Sequence, residues 1–152
     1  LEVEARFRIP KGVEERIGSL GGELRRELTF VDCYYDTQNW ALTLRDFWIR
    51  RRDSTWQLKY PPPLGRTGEN WPIEQYAETE DEAEICQLVG EVLKAGCAED
   101  HDVQYLMTRT GCGVFAEYTT IRKSYKFTKE ENISVDLDVT NFGYEVGEIE
   151  TM

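Results

Sequence analysis

Polar and apolar residues alternate with a period of two over much of this chain. The opening nine residues, LEVEARFRI, place Glu2, Glu4, Arg6 and Arg8 on one face of a strand. Leu1, Val3, Ala5, Phe7 and Ile9 fall on the other, because successive strand side chains point to opposite sides. The pattern returns later. In WIRRR, Trp48, Arg50 and Arg52 share a face; in WQLK, Gln57 and Lys59 stand opposite Trp56 and Leu58. Tyr76 and Glu78 share a face, as do Thr120, Arg122, Ser124 and Lys126. Ser134, Asp136 and Asp138 alternate with Ile133, Val135, Leu137 and Val139, and Glu148 and Glu150 flank Ile149.

Two segments follow a helical period instead. PKGVEERIGSLGG predicts a short helix with Val13, Ile17 and Leu20 on one face, closed by Gly21-Gly22. TEDEAEICQLVGEVLKAGC predicts a longer one, with Thr79 as N-cap, the acids Glu80, Asp81, Glu82 and Glu84 near its first turn, and Gly96 as stop. Its apolar face is Ile85, Leu88, Val89, Val92 and Leu93, and a further helix is predicted over 102–109. Strands are predicted from Leu28 to a turn at Asp36-Thr37, over 47–52 and 56–59 about a turn at Asp53-Ser54, and over 73–78, 114–128, 133–139 and 142–151. PPPLGRTGENWP reads as a long loop. Short hairpin-like connections argue for an antiparallel α+β domain spanning 1–152.

An ordinary half-buried strand has a solvated polar face that mixes Thr, Ser, Gln and Lys. Here the polar faces are ionisable and each leans to one sign. The hairpin carries cations, while Glu2/Glu4, Asp136/Asp138 and Glu148/Glu150 are acids at i, i+2. Like charges so placed repel unless something opposite lies between them. A divalent cation satisfies the carboxylates and a polyanion satisfies the arginines. The helices need apolar sheet surface to pack on, so the apolar faces are expected outside and the charged faces inside. That describes an antiparallel β-barrel with a charged lumen and helices on its exterior, and the pattern alone leaves an open sheet with a solvated polar face as the alternative.

Charge and cysteine usage narrow the function. A net charge of −11 argues against a general nucleic-acid binder, and no apolar run approaches the roughly 20 residues of a membrane helix. Cys33, Cys86, Cys97 and Cys112 are widely spaced, with His101 the one histidine, so a zinc site is not expected. Reduced thiols and a cytoplasmic location are expected instead. Trp56, Tyr125 and Phe127 are expected in the core and His101 on the surface, while Trp40 and Trp71 suggest no role.

EVEARF resembles the E-x-E-x-K signature of the CYTH triphosphate tunnel metalloenzymes. YYDT, WIRRR…W-x-L-K-x-P, Y-x-E and VDLDVTNFGYEVGEIE follow in that family's order. The F-G-Y-x-V-G-E-x-E tail resembles the branch acting on thiamine triphosphate. The resemblance implies an eight-stranded tunnel that binds a triphosphate with Mg²⁺, or alternatively Mn²⁺. It implies metal binding by Glu2, Glu4, Asp136, Glu148 and Glu150, with Asp138 alongside. It implies substrate binding by Arg6, Arg50, Arg52, Lys59, Arg122 and Glu78, and stacking of the thiamine moiety on Trp48. Tyr34 and Lys59 match residues that help activate the attacking water, and Lys59 as a simple phosphate ligand stays open. The signature lysine is Arg6 here, which keeps the charge but changes its geometry. By the same resemblance, a last strand and a C-terminal helix are expected to be missing beyond Met152.

The activity implied is metal-dependent hydrolysis of thiamine triphosphate to the diphosphate and phosphate. The alternatives are inorganic or nucleoside triphosphate hydrolysis, ATP cyclisation, or triphosphate binding without turnover. A small-molecule substrate is implied, with no nucleic acid, membrane or obligatory protein partner, and a monomer.

Overall fold

A computed structural model describes residues 2–62, 73–96 and 102–151. The side chains of Glu2 and of residues 73–75 lie outside that description, as do Trp71, Cys97, His101 and the expected loop over 63–72. In chain order the elements are β1 (Glu2–Phe7), α1 (Val13–Ser19), β2 (Gly22–Asp36), a 3₁₀ turn (Thr43–Arg45), β3 (Trp48–Arg52) and β4 (Thr55–Tyr60). Then come β5 (Ile73–Thr79), α2 (Glu82–Val92), α3 (Val103–Arg109), β6 (Gly113–Phe127), β7 (Ile133–Thr140) and β8 (Glu145–Thr151).

The hydrogen-bonded strand order is β1-β5-β4-β3-β2-β6-β7-β8, and it closes as an antiparallel barrel. Closure comes from β8 on β1, with Glu4 opposite Glu150 and Arg6 opposite Glu148. Glu145–Thr151 is the eighth strand in chain order and supplies the partner of β1. Among the described residues, no helix is long and apolar enough to cross a membrane.

Contacts cluster into two compact units. The first combines residues 1–30, 66–75 and 118–152. Here Ile17 of α1 is buried with Tyr125, Val135 and Leu137, and Phe7, Ile9, Val13 and Phe127 pack against them. The alternate residues of the same strands are also buried, and they are polar: Glu4, Thr120, Ser124, Asp136, Asp138 and Thr140. Their face is therefore not an ordinary solvated one. Ile121, Val139 and Ile149, on the apolar face, are exposed. Close packing between β1 and β8 depends on Gly147. A Cβ added there would meet the Phe7 ring at 2.1 Å, well inside contact distance.

The second unit combines residues 31–65 and 76–117. Its core joins Ile49, Trp56 and Leu58 of the β3–β4 hairpin to Ile85 and Val89 of α2 and Val103, Leu106 and Met107 of α3. Arg51 and Trp56 are opposite each other in that hairpin, and the Arg51 guanidinium lies 5.7 Å from the Trp56 ring centre. Cys33, Cys86 and Cys112 are free thiols.

Three local expectations change. Leu20 is exposed rather than part of the α1 face, because α1 ends at Ser19 and the backbone turns through Gly21 at φ 88°. The N-cap of α2 is Asp81, whose carboxylate accepts from the Ala83 and Glu84 amides. Thr79 is still in β5; its hydroxyl donates to Glu84 and accepts from the Asp81 amide. β2 begins at Gly22, six residues before the expected Leu28. Its early part, GELRRE, interrupts charge with exposed Leu24, so it lacks the apolar signal of a half-buried strand.

Candidate functional site

Each unit carries one charged cluster, built by strand alternation. In the first unit, β1 presents Glu4 and Arg6, β6 presents Arg122, β7 presents Asp136 and Asp138, and β8 presents Glu148 and Glu150. Ladder register makes this gathering unavoidable: Arg122 is opposite Asp138, Asp136 opposite Glu148, and Arg6 opposite Glu148. Paired residues share a face of the sheet.

Glu4, Glu148 and Glu150 each place one carboxylate oxygen within 4.8 Å of the others. Hard oxygen donors of this kind suit Mg²⁺ or Mn²⁺, so the residues fit the metal that the resemblance implies. Arg6 lies against the same group, with Nη2 2.7 Å from Glu4 and Nε 3.4 Å from Glu148. Asp136 is not part of the three-carboxylate group. Its Oδ2 is 2.9 Å from Nη1 of Arg122.

Arg122 is held by three acids. Nε and Nη2 donate to the two oxygens of Asp138, both at 2.7 Å, and Nη2 also donates to Glu148 at 3.3 Å. The Phe30 ring centre lies 5.4 Å from its guanidinium carbon. Burial works against the arginine's charge, but Asp138, Asp136 and Glu148 outweigh it and raise the Arg122 pKa. Burial, followed by the charge on Glu4, pushes the Glu148 carboxyl above its ordinary range. A carboxylate raised in this way gains from a nearby cation.

The second unit carries the cationic hairpin. Arg52 makes a bidentate pair with Asp32, both bonds at 2.8 Å. Arg50 donates from Nε to Gln57 at 2.7 Å, from Nη1 to the Tyr34 hydroxyl at 3.2 Å, and from Nη2 to Glu78 at 3.5 Å. Burial opposes the Arg50 charge, and Tyr34, Asp32 and Glu78 together overcome it. Lys59 is opposite both Trp48 and Glu78 in the ladders. The Trp48 indole donates to Asp46 at 2.7 Å and keeps 37 % of its surface exposed.

The structure thus brings Glu4, Arg6, Arg122, Asp136, Glu148 and Glu150 into one cluster. Tyr34, Trp48, Arg50, Arg52, Lys59 and Glu78 share the second. The side chain of Glu2 lies outside the described residues. Sequence reasoning missed Asp32 and Gln57. Asp32 is 1 % exposed and orients Arg52; Gln57 fixes Arg50. Both were recoverable from period two, since Asp32 precedes Tyr34 by two residues and Gln57 precedes Lys59 by two. Asp138, which stood beside the implied metal set, is the main clamp on Arg122.

Residues 1–152 match the CYTH domain family. The chain is 38 % identical over 159 residues to the thiamine-triphosphatase of Homo sapiens, a match covering 100 % of this chain and 68 % of that protein. Among solved structures it is similar to the PH1012 protein of Pyrococcus horikoshii OT3, at TM-score 0.62 and 17 % identity, covering 100 % of this chain and 79 % of that one. It is also similar to HpAC1 of Hippeastrum, an adenylyl cyclase by name described as having a dominant triphosphatase activity. There the TM-score is 0.60 at 13 % identity, covering 99 % and 79 % of the two chains.

Proposed function

The chain belongs to the CYTH domain family, and from that premise we propose that it hydrolyses thiamine triphosphate to thiamine diphosphate and phosphate with a divalent metal. It is a hydrolase acting on triphosphates. The substrate reading rests on the thiamine-triphosphatase relative. The observation that carries the chemistry is the Glu4, Glu148 and Glu150 oxygens within 4.8 Å of one another, on a polar face shared with Arg6 and Arg122. These three carboxylates would hold Mg²⁺ or Mn²⁺. When bound, the ion neutralises phosphate charge and orients the phosphoryl group, which is most of what such a transfer requires.

The protein's own residues bind and position. Arg122, gripped in plane by Asp138, presents a fixed guanidinium edge to phosphate oxygens. Arg6 bridges Glu4 and Glu148 in the structure, and it exchanges those partners for the substrate. Arg50 and Arg52 take further phosphate oxygens, Arg52 remaining fixed on Asp32. Water attacks the terminal phosphorus, the bridging P–O bond breaks, and the electron pair leaves with thiamine diphosphate. Lys59 receives the proton of the attacking water. A lysine acting as base must be neutral at that moment. The Tyr34 hydroxyl, accepting from Arg50, is held for aligning that water. Trp48 offers a ring to the organic end of the substrate.

A panel of thiamine, inorganic and nucleoside triphosphates, with Mg²⁺ or with EDTA, tests the proposal. Fastest turnover of thiamine triphosphate, lost in EDTA, is expected. Equal kcat/KM on all three would remove the thiamine assignment, and full activity in EDTA would remove the metal.

A further inference from the structure

The rings of Tyr118, Phe142 and Tyr144 in the first unit gather outside its apolar core. Tyr118 lies on β6 at the same parity as Thr120 and Arg122, so it shares the polar face. Phe142 stands against it edge-on, with ring centres 5.4 Å apart and planes at 74°. Tyr144 is parallel to Phe142, at 6.1 Å and 2°. Yet Phe142 is 63 % exposed and Tyr144 52 % exposed. Large apolar rings left so open contribute little to folding stability.

The turn that carries them is nonetheless pinned on both sides. Asn141 donates from its amide to the Thr119 carbonyl and accepts the Thr119 amide on its side chain. Thr140 bonds both the carbonyl and the amide of Tyr144 through its hydroxyl. Rings held this way meet a ligand with little ordering cost.

The surroundings select the ligand. Asp138 and Glu148 lie further along the polar face that Tyr118 shares. Aromatic faces carry negative potential and attract cations, all the more beside carboxylates. Arg122 is four residues from Tyr118, about 13 Å at the usual strand rise of about 3.3 Å per residue. That distance leaves room for a phosphate arm between the rings and the guanidinium.

We propose that Tyr118, Phe142 and Tyr144 form a stacking platform for a flat, positively charged heteroaromatic group, the organic end of the triphosphate whose phosphates reach Arg122. This rests on the triphosphate reading above and adds the residues that tell an organic triphosphate from an inorganic one.

The test is calorimetric binding of two unreactive probes in EDTA-treated buffer: thiamine diphosphate and inorganic diphosphate. Proteins are wild type, Phe142→Ala, Tyr144→Ala and Phe142→Tyr. Each alanine variant should weaken thiamine diphosphate roughly tenfold, as loss of one stacked ring does, with inorganic diphosphate changed less than twofold. Phe142→Tyr should restore binding. Equal weakening of both probes would make the turn merely structural, and unchanged binding of both would remove the platform. If thiamine triphosphate is not hydrolysed but the selective loss appears, the platform stands and the proposed activity falls. If it is hydrolysed and the alanine variants bind both probes normally, the activity stands and the platform falls.

Discussion

Glu148→Gln separates a metal ligand from a structural ion pair. Glu148 touches Arg6 at 3.4 Å and Arg122 at 3.3 Å. At an effective dielectric of about 20, each contact is worth roughly 5 kcal/mol of attraction. Against this, Glu4 and Glu150 oxygens within 4.8 Å each repel by at least about 3.5 kcal/mol on the same scale. Burial removes several kcal/mol more. The terms nearly cancel, consistent with the raised pKa of this carboxyl. The glutamine also leaves no cation alone, since Arg6 keeps Glu4 and Arg122 keeps Asp136 and Asp138. Thermal unfolding in EDTA should therefore show a midpoint within about 3 °C of wild type, which is about 1 kcal/mol at this size. Adding Mg²⁺ at a hundred times its Kd should stabilise wild type by about 2.7 kcal/mol, roughly 5–10 °C, and the variant hardly at all. Triphosphate hydrolysis should be lost. A variant that melts 10 °C low in EDTA would show Glu148 to be chiefly a structural pair. A variant that keeps the full Mg²⁺ shift would remove it from the metal site.

Two further perturbations address the frame around the clusters. Gly147→Ala should cost about 1–3 kcal/mol by overpacking, because its Cβ would sit 2.1 Å from the Phe7 ring; urea unfolding reads it, and adding Phe7→Leu should recover part of the loss. Tyr125 donates to Glu14 of α1, and burial with that bond raises its pKa to about 12. The stabilisation is present below the ordinary tyrosine value of about 10 and is lost as pH rises through about 12. Glu14 is lowered by Tyr125 and then Lys123, so its share is present above the ordinary carboxylate range and is lost as pH falls through the lowered value. An ultraviolet tyrosine titration should show a late-ionising group near pH 12 that is absent in Tyr125→Phe.

Much of this was legible because period two is a robust code. The faces of Arg50/Arg52, Asp136/Asp138 and Glu148/Glu150 follow from alternation alone. The helices followed from their apolar spacing, although Asp81 rather than Thr79 caps α2. What alternation leaves open is partner choice. Nothing in the spacing says that Asp136 turns to Arg122 while Glu4 and Glu150 meet Glu148, because that depends on register across strands distant in sequence. The length of β2 escaped for a different reason: GELRRE spends its apolar residue on an open surface, where burial leaves no trace in composition.

The double burial of β7 has an evolutionary consequence. Val135 and Leu137 are packed under α1, while Asp136 and Asp138 are buried on the opposite face. Odd positions thus answer to stability and even positions to chemistry. Substrate preference can drift by substitutions at even positions without disturbing the packing of the odd ones. A single-residue insertion or deletion has no such freedom, since a slip by one exchanges the two sets at once. Lineages of this fold should therefore vary in these strands by substitution and confine length changes to the connections.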